Sequence, residues 1–372
     1  MNIGITCYPT YGGSGAVATE LGIELAKRGH CIHFISYNIP FRLNKFYKNI
    51  FYHEVDMLDY PLFKYPPYSL SLSAKMSEVI ESEGLDLMHV HYAMPHAASA
   101  YLAKIISGKQ NIKIVTTLHG TDITIVGNHH SFYKITKFSI EKSDGITCVS
   151  DYLRKETQEI FDLSKDMKVI HNFIDTDRYK KMDVKKENLG PLKEKEKIIT
   201  HISNFRPVKK IDSIINAFSK IIKEVDCRLL LVGDGPDMGK NRALVEKLGV
   251  KDKVLFMGMQ ERIVPILSGS DIYMLPSKSE SFGLSALEAL SCSVPVIGTK
   301  IGGMEEVVQD GLNGYLFDPD DIESISDAAI SILMDDQKRY DMGQKARSRA
   351  EEFDDDVIVP IYEEYYNNVL KT

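Results

Sequence analysis

Two glutamates eight positions apart, Glu280 and Glu288, are the residues whose types and spacing best suit chemistry. A predicted buried strand at 271–275 ends shortly before Glu280, and a helix is predicted from Gly283 to about Ser291. Glu280 then lies in a loop and Glu288 in the helix, whose first N–H groups can face an anion. The arrangement suits a ligand with hydroxyls at both ends and negative charge between them, such as a nucleotide sugar.

A loop with three cations stands at the start of the second half of the chain. Arg206, Lys209 and Lys210 follow a predicted strand at 198–203 and precede a predicted helix at 212–224. Cations in this position can neutralise a diphosphate, and an arginine can bind two of its oxygens at once. A solvated surface loop is the alternative.

A glycine-rich turn, Gly12-Gly13-Ser14-Gly15, follows the first predicted strand and opens the first predicted helix. Glycines let the backbone turn tightly and approach an anionic ligand. Residues 13–18 also fit the dinucleotide pattern G-x-G-x-x-A, but residues 34–38 lack the acid that would bind a ribose of NAD. A tight turn without a ligand remains an alternative.

Histidines cluster at His89, His91 and His96, and His119 follows the predicted strand at 112–118. Strand alternation puts His89 and His91 on one side, so a metal site is an alternative to packing or substrate contact. His119 could hydrogen-bond a hydroxyl or meet a carboxylate, or the stretch 119–122 could simply turn the chain and cap a helix.

Two D-x-D tripeptides, at 175–177 and 318–320, could hold a divalent ion against a diphosphate. Neither ends a well-defined predicted strand, so both read as turns. The prediction is therefore that the protein uses no metal and no other cofactor.

Short apolar runs alternate with amphipathic stretches in both halves. The predicted strands of the first half cover 3–7, 31–36, 51–55, 86–91, 112–118 and 145–149, and its helices cover 14–28, 69–83, 96–107 and 150–161. The second half repeats the pattern with strands at 198–203, 228–232, 254–256, 271–275 and 294–297, and helices at 322–334, 336–352 and 357–370 end the chain. The alternation predicts an α/β protein with two doubly wound, Rossmann-like domains facing a cleft.

The totals agree with two domains, because 372 residues are enough for two cores of ordinary size. We expect an N-terminal domain at 1–178, a lysine-rich linker within 179–197, and a C-terminal domain at 179–354. A final helix at 355–372 is expected to pack back on the first domain.

Composition and charge restrict the function classes. A formal net charge of −7 argues against general nucleic-acid binding, and five scattered cysteines without a C-x-x-C pair indicate a reduced compartment. No signal peptide and no apolar run of membrane-spanning length are apparent. We expect a cytoplasmic protein without stable membrane association.

Taken together, these motifs resemble the retaining glycosyltransferases of the GT-B architecture over nearly the whole chain. The stretches that carry the resemblance are the E-x7-E element, the first-loop glycines, and residues 119–122, 172–175, 232–236 and 302–306. One departure is that the family often has Gly-Arg near positions 203–204, whereas here the arginine is Arg206. Which of Lys209 and Lys210 contacts phosphate is therefore left open.

The resemblance implies a donor site in the second half. Glu288 would bind the ribose hydroxyls, and Glu280 would hold the sugar. The remaining donor-binding residues that it implies are Gly13, Ser14, Gly15, Asn204, Arg206, Lys209, Lys210, Gly258, Met259, Ser281, Phe282, Gly283 and Leu284. Among all these positions, Glu280, Arg206 and Lys210, with His119 of the first half, are the implied catalytic residues.

Several stretches are similar to the branch of that family that transfers N-acetylglucosamine from UDP-GlcNAc to L-malate, the first step of bacillithiol biosynthesis. These stretches are residues 3–9, 12–15, 39–42, 64–68, 91–96, 116–124 and 203–209. The similarity implies that the acceptor is bound by Ser14, Arg42, Tyr92, Thr117, His119 and Asn172. The alternatives are another acceptor, such as a sugar, an inositol phosphate or a lipid-linked glycan, and a UDP-sugar epimerase.

The resemblance also implies retention of configuration at the anomeric carbon. A front-face route, in which the leaving phosphate accepts the proton of the acceptor hydroxyl, fits the lack of an obvious nucleophile. A double displacement with a glutamate nucleophile is the alternative. The sequence leaves the oligomeric state open.

Overall fold

The computed structural model describes residues 1–10, 12–58 and 60–372 and divides the chain into two compact units. The first unit comprises Met1–Asn172 with Asp355–Thr372, and the second comprises Phe173–Asp354. None of the helices in the described ranges combines the length and the apolar character needed to cross a membrane.

The first unit is built on a parallel sheet of seven strands. Its strands are β1 (Asn2–Thr6), β2 (Cys31–Ser36), β3 (Ile50–Glu54), β4 (Leu87–His91), β5 (Lys113–Leu118), β6 (Gly145–Cys148) and β7 (Lys168–Val169). They lie in the order β3-β2-β1-β4-β5-β6-β7. The helices between them are α1 (Gly13–Lys27), α2 (Tyr68–Ser82), α3 (Ala98–Ser107), α4 (Tyr133–Lys142) and α5 (Asp151–Phe161). Every residue of β4 is buried, as expected for a central strand covered on both faces.

The second unit repeats this plan with six parallel strands. They are β8 (Lys197–Ile202), β9 (Cys227–Val232), β10 (Val254–Gly258), β11 (Ile272–Leu275), β12 (Val296–Thr299) and β13 (Gly314–Phe317), in the order β10-β9-β8-β11-β12-β13. Its helices are α6 (Ile211–Ile221), α7 (Met238–Lys247), α8 (Val264–Ser268), α9 (Leu284–Ser291), α10 (Ile322–Leu333) and α11 (Asp336–Glu351). Apolar residues of α6, α10 and the central strands form one buried core.

The last helix, α12 (Asp355–Lys371), belongs to the first unit. The hydroxyl of Tyr366 lies 2.7 Å from Nδ1 of His89 in β4, and the hydroxyl of Tyr365 donates to the carbonyl of Ile146 in β6 at 3.0 Å. Tyrosine hydroxyls thus anchor the C-terminal helix to the middle of the first sheet.

The chain changes unit at residues 172–173, whereas the sequence pattern predicted the boundary at 178. Ile174 forms a bridge with Asp354, and Thr176 donates both its N–H and its hydroxyl to the carboxylate of Asp354. The lysine-rich stretch expected to be a linker also belongs to the second unit, because Leu189 and Leu192 are buried against the core there. The two leucines that anchor this stretch were not recognised in the sequence, because charged residues surround them.

In both sheets the strand order reverses beside the first strand of the unit, between β1 and β4 and between β8 and β11. Open α/β sheets bind ligands outside the carboxyl ends of the strands at such a reversal. The predicted class, two doubly wound α/β units, is confirmed, and most predicted elements agree with the structure to within two residues.

Candidate functional site

In the second unit, the loops that follow β8 and β11 bring a cation and a carboxylate together. Nζ of Lys209 lies 2.6 Å from Oε1 of Glu280, and the Glu280 side chain is only 12% exposed. The two loops are also joined through the backbone, since the N–H of Lys278 donates to the carbonyl of Val208 at 2.8 Å. A charge-assisted bond between two largely buried groups fixes both side chains.

Two adjacent glycines, Gly302 and Gly303, pack against the backbone of Glu280. The N–H of Gly303 donates to the Glu280 carbonyl at 2.8 Å. Gly302 has a φ of +79°, and a Cβ at this position would lie 2.0 Å from the same carbonyl oxygen. Only a residue without a side chain allows this approach, so Gly302 and Gly303 position Glu280 without touching its carboxylate.

Helix α9 begins beside Glu280. Gly283 stands at its N-cap with a φ of +97°, and its carbonyl accepts the N–H groups of Ala286 and Leu287, so the N–H groups of Leu284 and Ser285 have no acceptor within the helix. Phe282 is buried and packs edge-on against Phe353 at 5.6 Å between ring centroids, while Ser281 is half-buried. Glu288 lies within α9 and is 7% exposed. The helix therefore presents donors near Glu280 and carries the second glutamate of the E-x7-E pair.

Lys210 does not join this group. Its backbone is left-handed, with a φ of +51°, and its Nζ lies 2.6 Å from Asp320 and 3.6 Å from Asp212. The hydrogen bond to Asp320 raises the pKa of the lysine. The turn at Lys210 thus separates adjacent lysines, one directed to Glu280 and the other to Asp320. Of the predicted cations beside Glu280, the structure places Lys209 there.

The predicted donor residues Asn204, Arg206, Gly258 and Met259 lie on neighbouring loops of the second unit. Asn204 and Arg206 are exposed in the loop after β8. Gly258 ends β10 with a φ of +64°, its carbonyl accepts the N–H of Gly233 at 2.8 Å, and the Met259 side chain is exposed. All of these loops leave the carboxyl ends of β8, β9 and β10.

In the first unit, the start of α1 meets the loop that follows β4. The hydroxyls of Ser14 and Tyr92 are 2.6 Å apart, and Tyr92 has a φ of +88°. A Cβ on Gly15 would lie 2.5 Å from the carbonyl oxygen of Tyr8, so the turn into α1 requires glycine there. Gly13 is the first residue of α1. Burial raises the pKa of the Tyr92 phenol to about 12, so it keeps its proton at neutral pH.

His119 follows β5 and is held by two contacts. Its Nε2 lies 2.8 Å from Nδ1 of His91, the last residue of β4. Its backbone N–H donates to the carboxylate of Asp122, which also accepts the N–H groups of Gly120 and Ala93. Burial raises the pKa of Asp122 to about 6 and lowers that of His119 to about 3. His119 is therefore neutral at physiological pH.

Thr117 is buried within β5, two residues before His119. Its Oγ1 is 2.6 Å from Nε2 of His89 and 2.6 Å from Oγ1 of Thr147. Burial lowers the pKa of His89 to about 3. His89 is thus packed between Thr117 and Tyr366.

Asn172 and Arg42 complete the predicted acceptor residues. Asn172 is buried, and its Oδ1 has no hydrogen-bond partner among the residues that the structure describes. Nη1 of Arg42 lies 3.2 Å from Oε1 of Glu20 in α1. Arg42 is therefore already paired with an acid.

Among the described residues, the side chains that could together hold a metal ion are three consecutive acids at 354–356. The histidines of the first unit are not in that group. Asp320 of the second D-x-D tripeptide is paired with Lys210.

Comparison with known proteins relates both units to one class of enzyme. The family described as "Glycosyltransferase Family 4" matches residues 11–178, and the family described as "Glycosyl transferases group 1" matches residues 184–349. The chain is 50% identical over 374 aligned positions to the N-acetyl-alpha-D-glucosaminyl L-malate synthase of Bacillus anthracis, covering 100% of this chain and 98% of the relative. This chain belongs to the glycosyltransferases.

Solved structures agree with this glycosyltransferase in fold. A sucrose-phosphate synthase from Thermosynechococcus elongatus superposes with a TM-score of 0.83 at 21% identity, covering 100% of this chain and 99% of the other. The Anabaena protein HepE, in complex with UDP and glucose, also gives 0.83, at 20% identity and 99% coverage of both chains.

Four supporting residues of the glycosyltransferase were absent from the sequence-based site. Gly302, Gly303, His91 and Asp122 contact predicted site residues, but none was placed among the predicted catalytic, donor-binding or acceptor-binding residues. All four lie in stretches that carry the resemblance, so the motifs did signal them. Their function is to hold neighbours, which a linear pattern does not reveal.

Proposed function

We propose that this glycosyltransferase moves N-acetylglucosamine from UDP-GlcNAc to the hydroxyl of L-malate, with retention of configuration and without a metal ion. The observation that carries the proposal is the 50% identity, over the whole length of both chains, to the Bacillus anthracis protein named for this product. In enzymes of that branch, the reaction is the first step of bacillithiol biosynthesis.

The second unit would bind the donor. Glu280 accepts hydrogen bonds from the sugar hydroxyls, and Glu288 in α9 accepts them from the ribose. Lys209, the exposed Arg206 and the first N–H groups of α9 offer positive charge and donors to the diphosphate between them. Because Lys209 is held by Glu280, one ion pair couples the sugar subsite to the phosphate subsite.

The first unit would bind malate, which carries two negative charges at neutral pH. Its pocket needs hydrogen-bond donors, and the hydroxyls of Ser14 and Tyr92 supply a joined pair. The neutral His119 adds a ring N–H, and the buried Asn172 adds an amide. The hydroxyl of Thr117 contacts His89, so Thr117 would support this group of donors from the sheet. Arg42 would bind malate only after it gives up its ion pair with Glu20.

The chemistry that we propose is a front-face displacement. The bond between the anomeric carbon and the β-phosphate oxygen breaks, and a bond to the malate hydroxyl oxygen forms on the same face. The hydroxyl proton passes to the departing phosphate oxygen, so UDP leaves without a separate general base. Lys209 and Arg206 stabilise the negative charge that develops on that phosphate.

The ion pair with Lys209 favours a binding role for Glu280 over a nucleophilic one. A carboxylate engaged by an ammonium 2.6 Å away is a weaker nucleophile and a well-placed acceptor for sugar hydroxyls. A covalent sugar–enzyme adduct at Glu280, detected by mass spectrometry after rapid quenching, would contradict this mechanism.

The reaction itself is tested by incubating the protein with UDP-GlcNAc alone and then with L-malate. We expect rapid release of UDP only when malate is present. Equal release in both samples would instead favour hydrolysis or an epimerase. A parallel sample treated with EDTA should keep full activity if cations of the chain take the place of a metal.

A further inference from the structure

The two rings of His91 and His119 form a hydrogen bond whose direction decides what His119 can offer a substrate. Nδ1 of His91 lies 2.8 Å from Nε2 of His119, and the ring planes differ by 25°. One of these nitrogens must carry the proton and the other must accept it. The distance alone does not distinguish the two directions.

The second nitrogen of His91 distinguishes them. Nε2 of His91 is buried and has no hydrogen-bond partner in the described part of the chain. If His119 donated, His91 would have to carry its own proton on Nε2, which would leave a buried N–H group without an acceptor. If His91 donates from Nδ1, its Nε2 is only an unpaired acceptor. Native structures avoid an orphaned N–H donor more strictly than an under-used acceptor.

The neighbouring histidine follows the same logic and holds His91 in place. Nδ1 of His96 contacts the backbone carbonyl of His91, and a carbonyl can only accept, so His96 donates. His91 itself is completely buried at the end of β4. Burial lowers the pKa of both His91 and His119, which keeps the pair neutral at physiological pH and leaves one proton on each ring.

We propose that His91 is a positioning residue, whose Nδ1–H donates to Nε2 of His119 and thereby fixes the His119 proton on Nδ1. That Nδ1 has no hydrogen-bond partner among the described residues, so its N–H is available to a substrate. His119 then serves as a neutral donor toward an oxygen of the acceptor, a carboxylate or hydroxyl, and not as a base.

The assignment of the acceptor oxygen rests on the proposed function, whereas the proton position does not. At metal sites, removing the group that orients a histidine through its second nitrogen typically changes activity by about tenfold to a hundredfold, and we expect a change of that order here. A merely structural role for His91 would lower stability without changing where His119 carries its proton.

The decisive experiment is nitrogen-15 NMR of the histidine rings in the full-length protein without substrate. His119 is assigned by its disappearance in His119→Asn. We expect its Nδ1 to be the protonated, pyrrole-type nitrogen and its Nε2 to be the unprotonated one. The reverse pattern would overturn the inference whatever reaction the enzyme performs.

Two variants give a kinetic readout. The amide nitrogen of Asn occupies about the place of Nδ1 of histidine, so His91→Asn should keep kcat/KM for the acceptor within about threefold, whereas His91→Leu should lose about tenfold to a hundredfold. The KM for the donor should not change. An equal loss in both variants, with unfolding midpoints close to wild type, would contradict the inference. If His91→Leu does not fold, the wild-type spectrum and His91→Asn still decide.

Discussion

Nζ of Lys209 lies 2.6 Å from Oε1 of Glu280, and the two residues come from the loops that follow β8 and β11. The contact of Ser14 with Tyr92 occupies the same place in the first unit, after β1 and β4. In each unit the pair lies where the strand order reverses. The fold therefore uses one topological rule twice to bring distant residues together.

Substituting the two adjacent lysines separately should have unequal effects. Lys209→Met removes the cation beside Glu280, and we expect UDP to bind about tenfold to a hundredfold more weakly by calorimetry. Lys210→Met removes only the pair with Asp320 and Asp212 and should leave UDP affinity within about threefold, because the ammonium of Lys210 is engaged by these two acids and not by Glu280. If the two variants lose the same UDP affinity, Lys210 also contributes to donor binding and the prediction is wrong.

Gly302→Ala should disturb Glu280, and Gly311→Ala provides a matched control. Both glycines have a positive φ, +79° and +76°, so each alanine carries the left-handed backbone cost of about 1–2 kcal/mol. At Gly302 the new Cβ would also overlap the Glu280 carbonyl, whereas at Gly311 nothing lies within 4 Å.

We expect Gly302→Ala to lower the free energy of unfolding by about 1–3 kcal/mol beyond Gly311→Ala. It should also reduce kcat, because the glutamate must shift. Chemical unfolding and steady-state kinetics check both effects. The positioning role would be refuted by matching kcat values for the two variants.

Tyr92→Phe should weaken acceptor binding selectively. The change removes the hydroxyl that contacts Ser14 and is expected to raise the KM for malate about fivefold, the usual worth of a neutral hydrogen bond. The KM for UDP-GlcNAc should stay the same. Tyr101→Phe in α3, where the ring packs edge-on against Phe138, is the control. If Tyr92→Phe raises the KM for UDP-GlcNAc more than the KM for malate, Tyr92 contacts the donor and the prediction is wrong.

The buried histidines should make stability fall in acid. Burial lowers the pKa of His89 from 6.5 to about 3, so below pH 6.5 the unfolded state binds a proton that the folded state does not. The stability is complete above pH 6.5 and decreases as the pH falls toward 3. Each such histidine costs about 1.4 kcal/mol per pH unit in that window. Asp122, with its pKa raised to about 6, acts in the opposite direction.

His89→Gln isolates one of these contributions. Between pH 5.5 and 4.5, its free energy of unfolding should fall by about 1.4 kcal/mol less than that of the wild type. Asp122 is present in both proteins, so its contribution cancels. His130→Gln, at an exposed position, serves as the control. Parallel pH dependences for His89→Gln and wild type would show that His89 is protonated in the folded protein.

The sequence predicted the strands and the class of fold because buried parallel strands are short, continuous apolar runs between turns. Helices α4 and α7 were not predicted, because each buries few residues. These are Thr136, Ser139 and Ile140 in α4, and Asn241 and Val245 in α7. So thin an apolar stripe does not produce a helical period. Strand β13 was also missed: it lies at the edge of the second sheet, and only Gly314 and Leu316 among its four residues are buried.

Within the site, residue types were predictable and partners were not. The cationic loop was evident, but the side chains of Lys209 and Lys210 diverge at a left-handed turn of the backbone, which residue types alone do not reveal. Likewise, alternation placed His91 beside His89, whereas its contact with His119 joins residues 28 positions apart. Such pairings depend on which strands become neighbours, and spacing along the chain does not contain that information.

The most direct test of the central claim is analysis of the product formed from UDP-GlcNAc and L-malate, by mass spectrometry and by the anomeric proton signal in NMR. We predict N-acetylglucosaminyl malate with an α linkage, formed in step with UDP, and no comparable product when other hydroxy acids, sugars or inositol phosphates replace malate. A product that forms preferentially on one of those other acceptors, or a β linkage on malate, would contradict the account.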